Sequence, residues 1–325
     1  MEFQVKVLLI SFAITVLISF VVIPILRKLK VGQVERDDGP ESHLKKQGTP
    51  TMGGIIIIMS MVIVCVGVFM YYRTKEPDVA KNILPMLFLS IGFGAIGFID
   101  DFKKLVLKNT KGLKPAAKMF GLLIISVAYT LFLTMYLDIG TDIYIPFAKI
   151  NITLPVWLYI PFAIVVMLAA TNAINLTDGI DGLSSSVTTI ILTALTVIAI
   201  ILEVKEVTIF GSALAGTCLG FLLFNLYPSK IMMGDTGSLL LGGAVAGMAL
   251  YLKMPILLLI IAIIPVIETL SVIMQVAHFK RTGNRLFKMA PLHHHFELKG
   301  WKENKVVSVF SIITLIACII GVISI

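Results

Sequence analysis

Apolar runs of 17 or more residues recur along this 325-residue chain from one end to the other, and they decide most of what it can fold into. Each run is long enough to cross the ~30 Å hydrocarbon core of a bilayer as a helix. Ten are legible: 3–26, 53–72, 82–99, 119–137, 154–171, 183–202, 207–227, 236–252, 254–277 and 306–325. Backbone groups in lipid need partners within their own segment, so runs of this length predict helices, and no run alternates as a barrel strand would. The chain is 58% hydrophobic and only 14% charged, more apolar surface than a soluble protein of this size can bury. The expectation is an all-α polytopic membrane protein, a single domain over residues 1–325 with no repeat and no soluble appendage.

Charge orients it. Of the 27 Lys and Arg residues, 20 fall in the alternate hydrophilic segments 27–52, 100–118, 172–182, 228–235 and 278–305. The positive-inside rule places those segments in the cytoplasm, and ten spans then put both termini outside. The first run is not read as a cleaved leader, because its basic cluster, Arg27 to Lys30, follows the apolar stretch and no small-residue cleavage site is present. The net charge of +8 is topological and suits an anionic inner leaflet, so nucleic acid is not an expected partner. Cys65, Cys218 and Cys318 lie scattered in apolar runs without metal-ligand spacing and read as small hydrophobes.

The unusual polar clusters all lie on the basic side. KKQGTPTMGG (45–54) offers Gly48, Gly53 and Gly54 with Thr49 and Thr51 just before a span, either an anion cradle of backbone N–H groups or an ordinary helix start. GFIDDFKK (97–104) ends a span on adjacent carboxylates, Asp100 and Asp101, and six lysines follow by residue 118. Two such carboxylates repel unless a cation stands beside them, and hard oxygen donors suit Mg2+ together with phosphate. In TNAINLTDGIDGL (171–183), Asn172, Asn175, Asp178 and Asp181 recur every third residue and would share one face of a helix or 3-10 turn, with no basic residue to pair with them, which favours a polar ligand site over a plain helix end. In SKIMMGDTGS (229–238), Asp235 is either a third functional acid or a plain N-cap. MAPLHHHFELKGW (289–301) holds His293, His294 and His295; consecutive histidines do not share a helix face, so a zinc site is disfavoured and a phosphate or sugar contact competes with a solvated loop. Gathered on one membrane face, these groups are what metal-assisted phosphoryl transfer needs.

The motifs GTPTMGG, GFIDD, NAINLTDGIDGL, MGDTGS and PLHHHFELKGW, in this order over the whole chain, resemble the phospho-N-acetylmuramoyl-pentapeptide transferases. These are a branch of the polyprenyl-phosphate N-acetylhexosamine 1-phosphate transferase superfamily, also called glycosyltransferase family 4. The resemblance implies transfer of phospho-N-acetylmuramoyl-pentapeptide from UDP-MurNAc-pentapeptide to undecaprenyl phosphate, giving lipid I and UMP, with Mg2+ as cofactor. It implies the bacterial inner membrane and a cytoplasmic active site in peptidoglycan synthesis, with a homodimer and nucleoside-antibiotic inhibition as family expectations. By resemblance Asp235 is the main Mg2+ ligand with Asn175 beside it, and Asp100 and Asp101 sit at the metal and phosphates, Asp100 as the base. Asn172, Asn175, Asp178 and Asp181 belong to the substrate pocket, Lys46 and Lys118 lie near the nucleotide, and His293, His294, His295 and Gln275 contact substrate.

Direct attack by the lipid phosphate and an aspartyl-phosphate intermediate both fit, with direct attack favoured. The nearest rival moves GlcNAc-1-phosphate onto the same lipid, and PLHHHFELKGW argues against it. A transporter would show mid-span charges and inverted repeats, whereas Glu268 is nearly the only acid deep in a span. The ninth run, 254–277, is about 36 Å long at ~1.5 Å per residue. A kink is expected near Pro265, with a groove for a polyprenyl tail beside it.

Overall fold

The computed structural model describes residues 2–29, 48–105 and 112–325. The helices are α1 (Phe3–Lys28), α2 (Gly54–Tyr72), α3 (Pro77–Leu105), α4 (Pro115–Leu131), α5 (Val156–Thr177), α6 (Leu183–Ile201), α7 (Lys205–Asn225), α8 (Gly234–Tyr251), α9 (Leu258–Ile261), α10 (Ile263–Thr282), α11 (Leu292–Glu297) and α12 (Glu303–Ile323). Helix α4 runs on through a wider turn to Tyr136, and a short 3-10 turn, Pro255–Leu257, precedes α9. Nine of these helices, among the described residues, are long and apolar enough to cross a membrane, and they fall on nine of the ten runs read from the sequence.

The remaining run, 236–252, is α8, and its difference has a physical cause. Every residue from Thr236 to Tyr251 is buried, so α8 is walled off by other helices and has no need of lipid-facing leucines. Its sequence GDTGSLLLGGAVAGMALY is rich in glycine and alanine instead, the composition that lets helices approach closely in a bilayer. A Cβ on Gly97 of α3 would stand 2.1 Å from the Asp235 carbonyl oxygen, and one on Gly54 of α2 would stand 2.1 Å from the Gly237 nitrogen. Three backbones therefore meet at the start of α8, where no side chain fits between them.

Helix α8 runs the full depth of the bundle, since its 18 residues measure roughly 27 Å. Its first residues contact the end of α3, and just beyond its last, Lys253 bonds Asp142 at 2.9 Å and accepts the Tyr144 N–H at 2.8 Å. Those partners lie in a two-stranded antiparallel hairpin, β1 (Asp142–Ile145) and β2 (Ile150–Thr153), paired Asp142 to Thr153 and Ile145 to Ile150. The hairpin is a departure from the all-α expectation. DIYI and INIT alternate over only four residues each, too short to register against helical runs, yet β-branched and aromatic residues favour the strand. The Phe147 N–H bonds the Ser324 carbonyl at this same end, and Phe3 stacks on Tyr71 near the Lys205–Glu76 pair.

The expected kink is present, displaced by one turn. The ninth run breaks at Ala262 (φ −100°, ψ 32°), and Pro265 sits in the first turn of α10, where its missing N–H costs nothing. Beside it lies a groove of about 300 Å³, lined by Phe162, Val166 and Ala170 of α5 and by Leu258, Pro265 and Val266.

Gly97→Ala should lower the unfolding midpoint of the detergent-solubilised protein, at an overpacking cost of about 1–3 kcal/mol. Gly67→Ala, where a Cβ meets nothing within 4 Å, should leave the midpoint unchanged in the same thermal scan.

Candidate active site

The site is built where α3 ends and α8 begins. Asp100 and Asp101 lie in the last turns of α3, only 2% and 5% exposed. Asp101 accepts the Asp235 N–H at 3.2 Å, the Thr236 N–H at 2.9 Å and the Thr236 hydroxyl at 2.7 Å. Those amides are the unsatisfied donors of a helix N-terminus, so Asp101 caps α8 from another helix. The sequence allowed Asp235 to be the cap; instead its side chain is turned away from its own helix end. Gly234, at φ 73°, makes the entry turn, and a Cβ there would come 2.7 Å from Asp101 Oδ2.

With Asp101 engaged in this way, Asp100 and Asp235 remain to face each other. One oxygen from each of Asp100, Asp101 and Asp235 lies within 4.8 Å of the others. Lys104 reaches Asp100 Oδ2 and, at 3.0 Å, Asp235 Oδ2. Lys118, at the start of α4, reaches Asp235 Oδ2 at 2.9 Å and Asp100 at 3.9 Å. The Leu113 N–H closes on Asp100 Oδ1 at 2.6 Å. Of the six lysines after GFIDD, sequence reasoning singled out Lys118 and missed Lys104. The i, i+4 spacing from Asp100 on one helix was the available signal.

The NAINLTDGIDGL segment does not continue as one helix. Helix α5 stops at Thr177, with Asp178 at φ −82°, ψ 50° and Gly182 in the left-handed region, so the four polar residues do not share a face. Asn172 bonds the Leu168 carbonyl of its own helix at 2.7 Å. Asn175 donates its amide to Asp235 Oδ1 at 2.7 Å and to Ser238 Oγ at 2.8 Å, steadying Asp235 from the side away from the lysines. Asp178 lies beyond the helix end, and loss of hydration, then the charges of Asp235 and Asp101, push its carboxyl up to about 8. Asp181 takes the Ser229 N–H at 3.0 Å, and its own N–H goes to Glu303 at 2.8 Å, which ties the turn to α8's approach and to α12.

The remaining candidates divide. The Gly53 and Gly54 N–H groups bond the Met232 and Met233 carbonyls at 2.9 and 3.0 Å, so this stretch is a junction with the chain before α8 and not an anion cradle. Lys46 lies outside the described residues. Gln275 accepts the Leu286 and Phe287 N–H groups at 3.0 and 2.9 Å and so holds the loop after α10. His295 accepts the Lys288 N–H at 3.1 Å, and burial, then Lys299 and Lys288, lower its pKa. His294 pairs with Glu297 at 3.0 Å. His293 is fully buried against Glu268, which the sequence marked only as an acid deep in a span.

Residues 83–253 match the glycosyl transferase family 4 model, and residues 46–58 match the first phospho-N-acetylmuramoyl-pentapeptide-transferase signature. The chain is 48% identical over 320 residues to a phospho-N-acetylmuramoyl-pentapeptide-transferase of Acetivibrio thermocellus, covering 98% of this chain and 94% of that protein. It is 50% identical to proteins of the same name from Clostridium botulinum and Clostridium perfringens, each over 98% of this chain and 95% of theirs. The chain belongs to the phospho-N-acetylmuramoyl-pentapeptide-transferase family. It is a multi-pass membrane protein of a transferase family, and the acid cluster lies in the part of the chain that the family model covers.

Asp101→Ala should destabilise the fold by about 2 kcal/mol, since it strips the α8 amides of their acceptor. Asp100→Asn removes a carboxylate that caps nothing, and its thermal midpoint should stay near wild type.

Proposed function

We propose that the protein transfers phospho-N-acetylmuramoyl-pentapeptide from UDP-MurNAc-pentapeptide to undecaprenyl phosphate, giving lipid I and UMP. The observation that carries the reading is the pairing of Asp100 and Asp235 with Lys104 and Lys118 at one end of the bundle, in a chain of this family. One substrate is a soluble nucleotide and the other a lipid, so the reaction belongs at a helix end where water meets apolar wall.

Ten helices cross the membrane in this reading, α8 among them, with both termini outside and the acid cluster facing the cytoplasm. Support comes from the basic residues, 20 of 27 in segments on one side, and from the depth that α8 traverses. In a bacterium this is the inner membrane.

The donor set fits Mg2+. Asp100 and Asp235 offer carboxylate oxygens within 4.8 Å of each other and of Asp101, hard donors of the kind Mg2+ takes, and no His or Cys joins the group among the described residues. Asp235 would hold the ion with Asn175 beside it, and Asp100 would stand alongside at the phosphates. When bound, the ion neutralises diphosphate oxygens and stabilises charge that builds on the leaving phosphate.

The chain's own residues do the rest. Lys104 and Lys118 supply positive charge to two anionic reactants that would otherwise repel. Asp100, fixed by the Leu113 N–H, takes the proton of the lipid phosphate. A lipid phosphate oxygen then bonds to the sugar-bearing phosphorus, the bond between that phosphorus and the bridging oxygen breaks, and UMP leaves with that oxygen. An already anionic nucleophile needs positioning more than activation, which favours direct attack over an aspartyl-phosphate. The groove beside Pro265 would take the polyprenyl tail.

Purified wild type with undecaprenyl phosphate, UDP-MurNAc-pentapeptide and Mg2+ should release UMP only when the lipid is present. Asp100→Asn and Asp235→Asn should lose about 10²-fold or more in kcat while remaining folded. UDP-GlcNAc should replace the pentapeptide nucleotide poorly; equal rates would assign the chain to the sister reaction. For orientation, the three native cysteines are buried. In intact cells an impermeant maleimide should label Asn151→Cys, on the exposed hairpin strand, and spare Lys299→Cys, beyond α11.

A further inference from the structure

Glu268 is an acid in the middle of α10, fully buried, one turn beyond Pro265. Its neighbours Pro265, Val266 and Thr269 line the apolar groove. Its carboxylate points elsewhere. Oε1 accepts the His293 N–H at 3.2 Å and stands 3.2 Å from His293 Nδ1. Oε2 and both ring nitrogens of His293 have no hydrogen-bond partner among the described residues. Burying a carboxylate and an imidazole with capacity unspent costs stability, so packing alone is a poor reason for either side chain.

The imidazole leads to the acid cluster. His293 Nε2 lies so close to the Gly179 backbone that a Cβ on Gly179 would come 2.1 Å from it. Gly179 follows Asp178, and Asp178 stands against the Gly234 backbone, next to Asp235 in the chain. Glu268, His293, Gly179 and Asp178 therefore form one contact chain from the groove helix to the phosphate end of the site.

We propose that Glu268 is a positioning residue for the transfer reaction, fixing His293 against the Asp178–Gly182 turn and so holding Asp178 beside Asp235. The inference rests on the transferase reading above. Its consequence is that a residue on the groove helix governs the acid cluster and not the fit of the lipid tail. Removing an outer partner of this kind costs roughly tenfold or more in metal affinity or activity.

The test uses full-length protein carrying Glu268→Ala, Glu268→Gln, His293→Ala and the double alanine variant. Mn2+ affinity is read by electron paramagnetic resonance, beside kcat and the KM of each substrate. Glu268→Ala should weaken Mn2+ binding and lower kcat by about tenfold, with the lipid KM within about twofold of wild type. The double variant should match His293→Ala, because both act along one path. A raised lipid KM with unchanged Mn2+ affinity overturns the proposal, as does an additive double variant. If Glu268→Ala does not fold, Glu268→Gln decides: it keeps an acceptor for the His293 N–H but not the charge. A smaller shift in the same direction supports the proposal and wild-type values overturn it. A wild type without lipid-dependent UMP release would instead sink the transferase reading itself.

Discussion

The three hydrogen bonds from the start of α8 to the Asp101 carboxylate are the contact on which the site depends. A helix N-terminus at the rim of a membrane bundle carries unsatisfied donors and a partial positive charge. Here both are met by an acid from a different helix. The bond fixes the depth and rotation of α8, and that rotation carries Asp235 to Asp100. Glycines at 54, 97 and 234 are what let the backbones come close enough, since a Cβ at any of them would occupy the space the contact uses.

Two adjacent acids thus do different work. Asp101 gives its oxygens to backbone and hydroxyl donors of α8. Asp100 faces Asp235 and, among the described residues, pairs with Lys104, Lys118 and the Leu113 amide, groups that a phosphate or a cation can replace. Lys104 and Lys118 offset the charges of Asp100 and Asp235 before substrate arrives. A divalent cation binding the acids would free the lysines for the phosphates it accompanies. That exchange of partners leaves neither the acids nor the phosphates without an opposite charge.

Much of this was legible in the chain, and the parts that were not have particular causes. The helices show as apolar runs because lipid forces the pattern, and α8, buried from Thr236 to Tyr251, was still readable as a run despite its glycines and alanines. GFIDD and MGDTGS announced acids at helix ends but not that one would cap the other's helix, because that is a contact over more than a hundred residues. The glycines of GTPTMGG suggested an anion cradle; spacing cannot say whether an N–H meets a ligand or another strand of backbone, and here it meets Met232 and Met233. Periodicity placed Asn172 to Asp181 on one face, but the helix ends at Thr177 and Gly182 reverses the chain. The histidine triplet read as a phosphate or sugar contact or a solvated loop, and burial of His293 against Glu268 depends on how α10 and α11 pack.

The most direct measurement is divalent-cation binding to the purified protein, by Mn2+ titration with electron paramagnetic resonance, in wild type and Asp235→Asn. The expected result is one Mn2+ per chain in wild type, competed by Mg2+, and loss of that site in Asp235→Asn while the protein remains folded. Equal Mn2+ binding by both proteins would contradict the placement of the cation between α3 and α8.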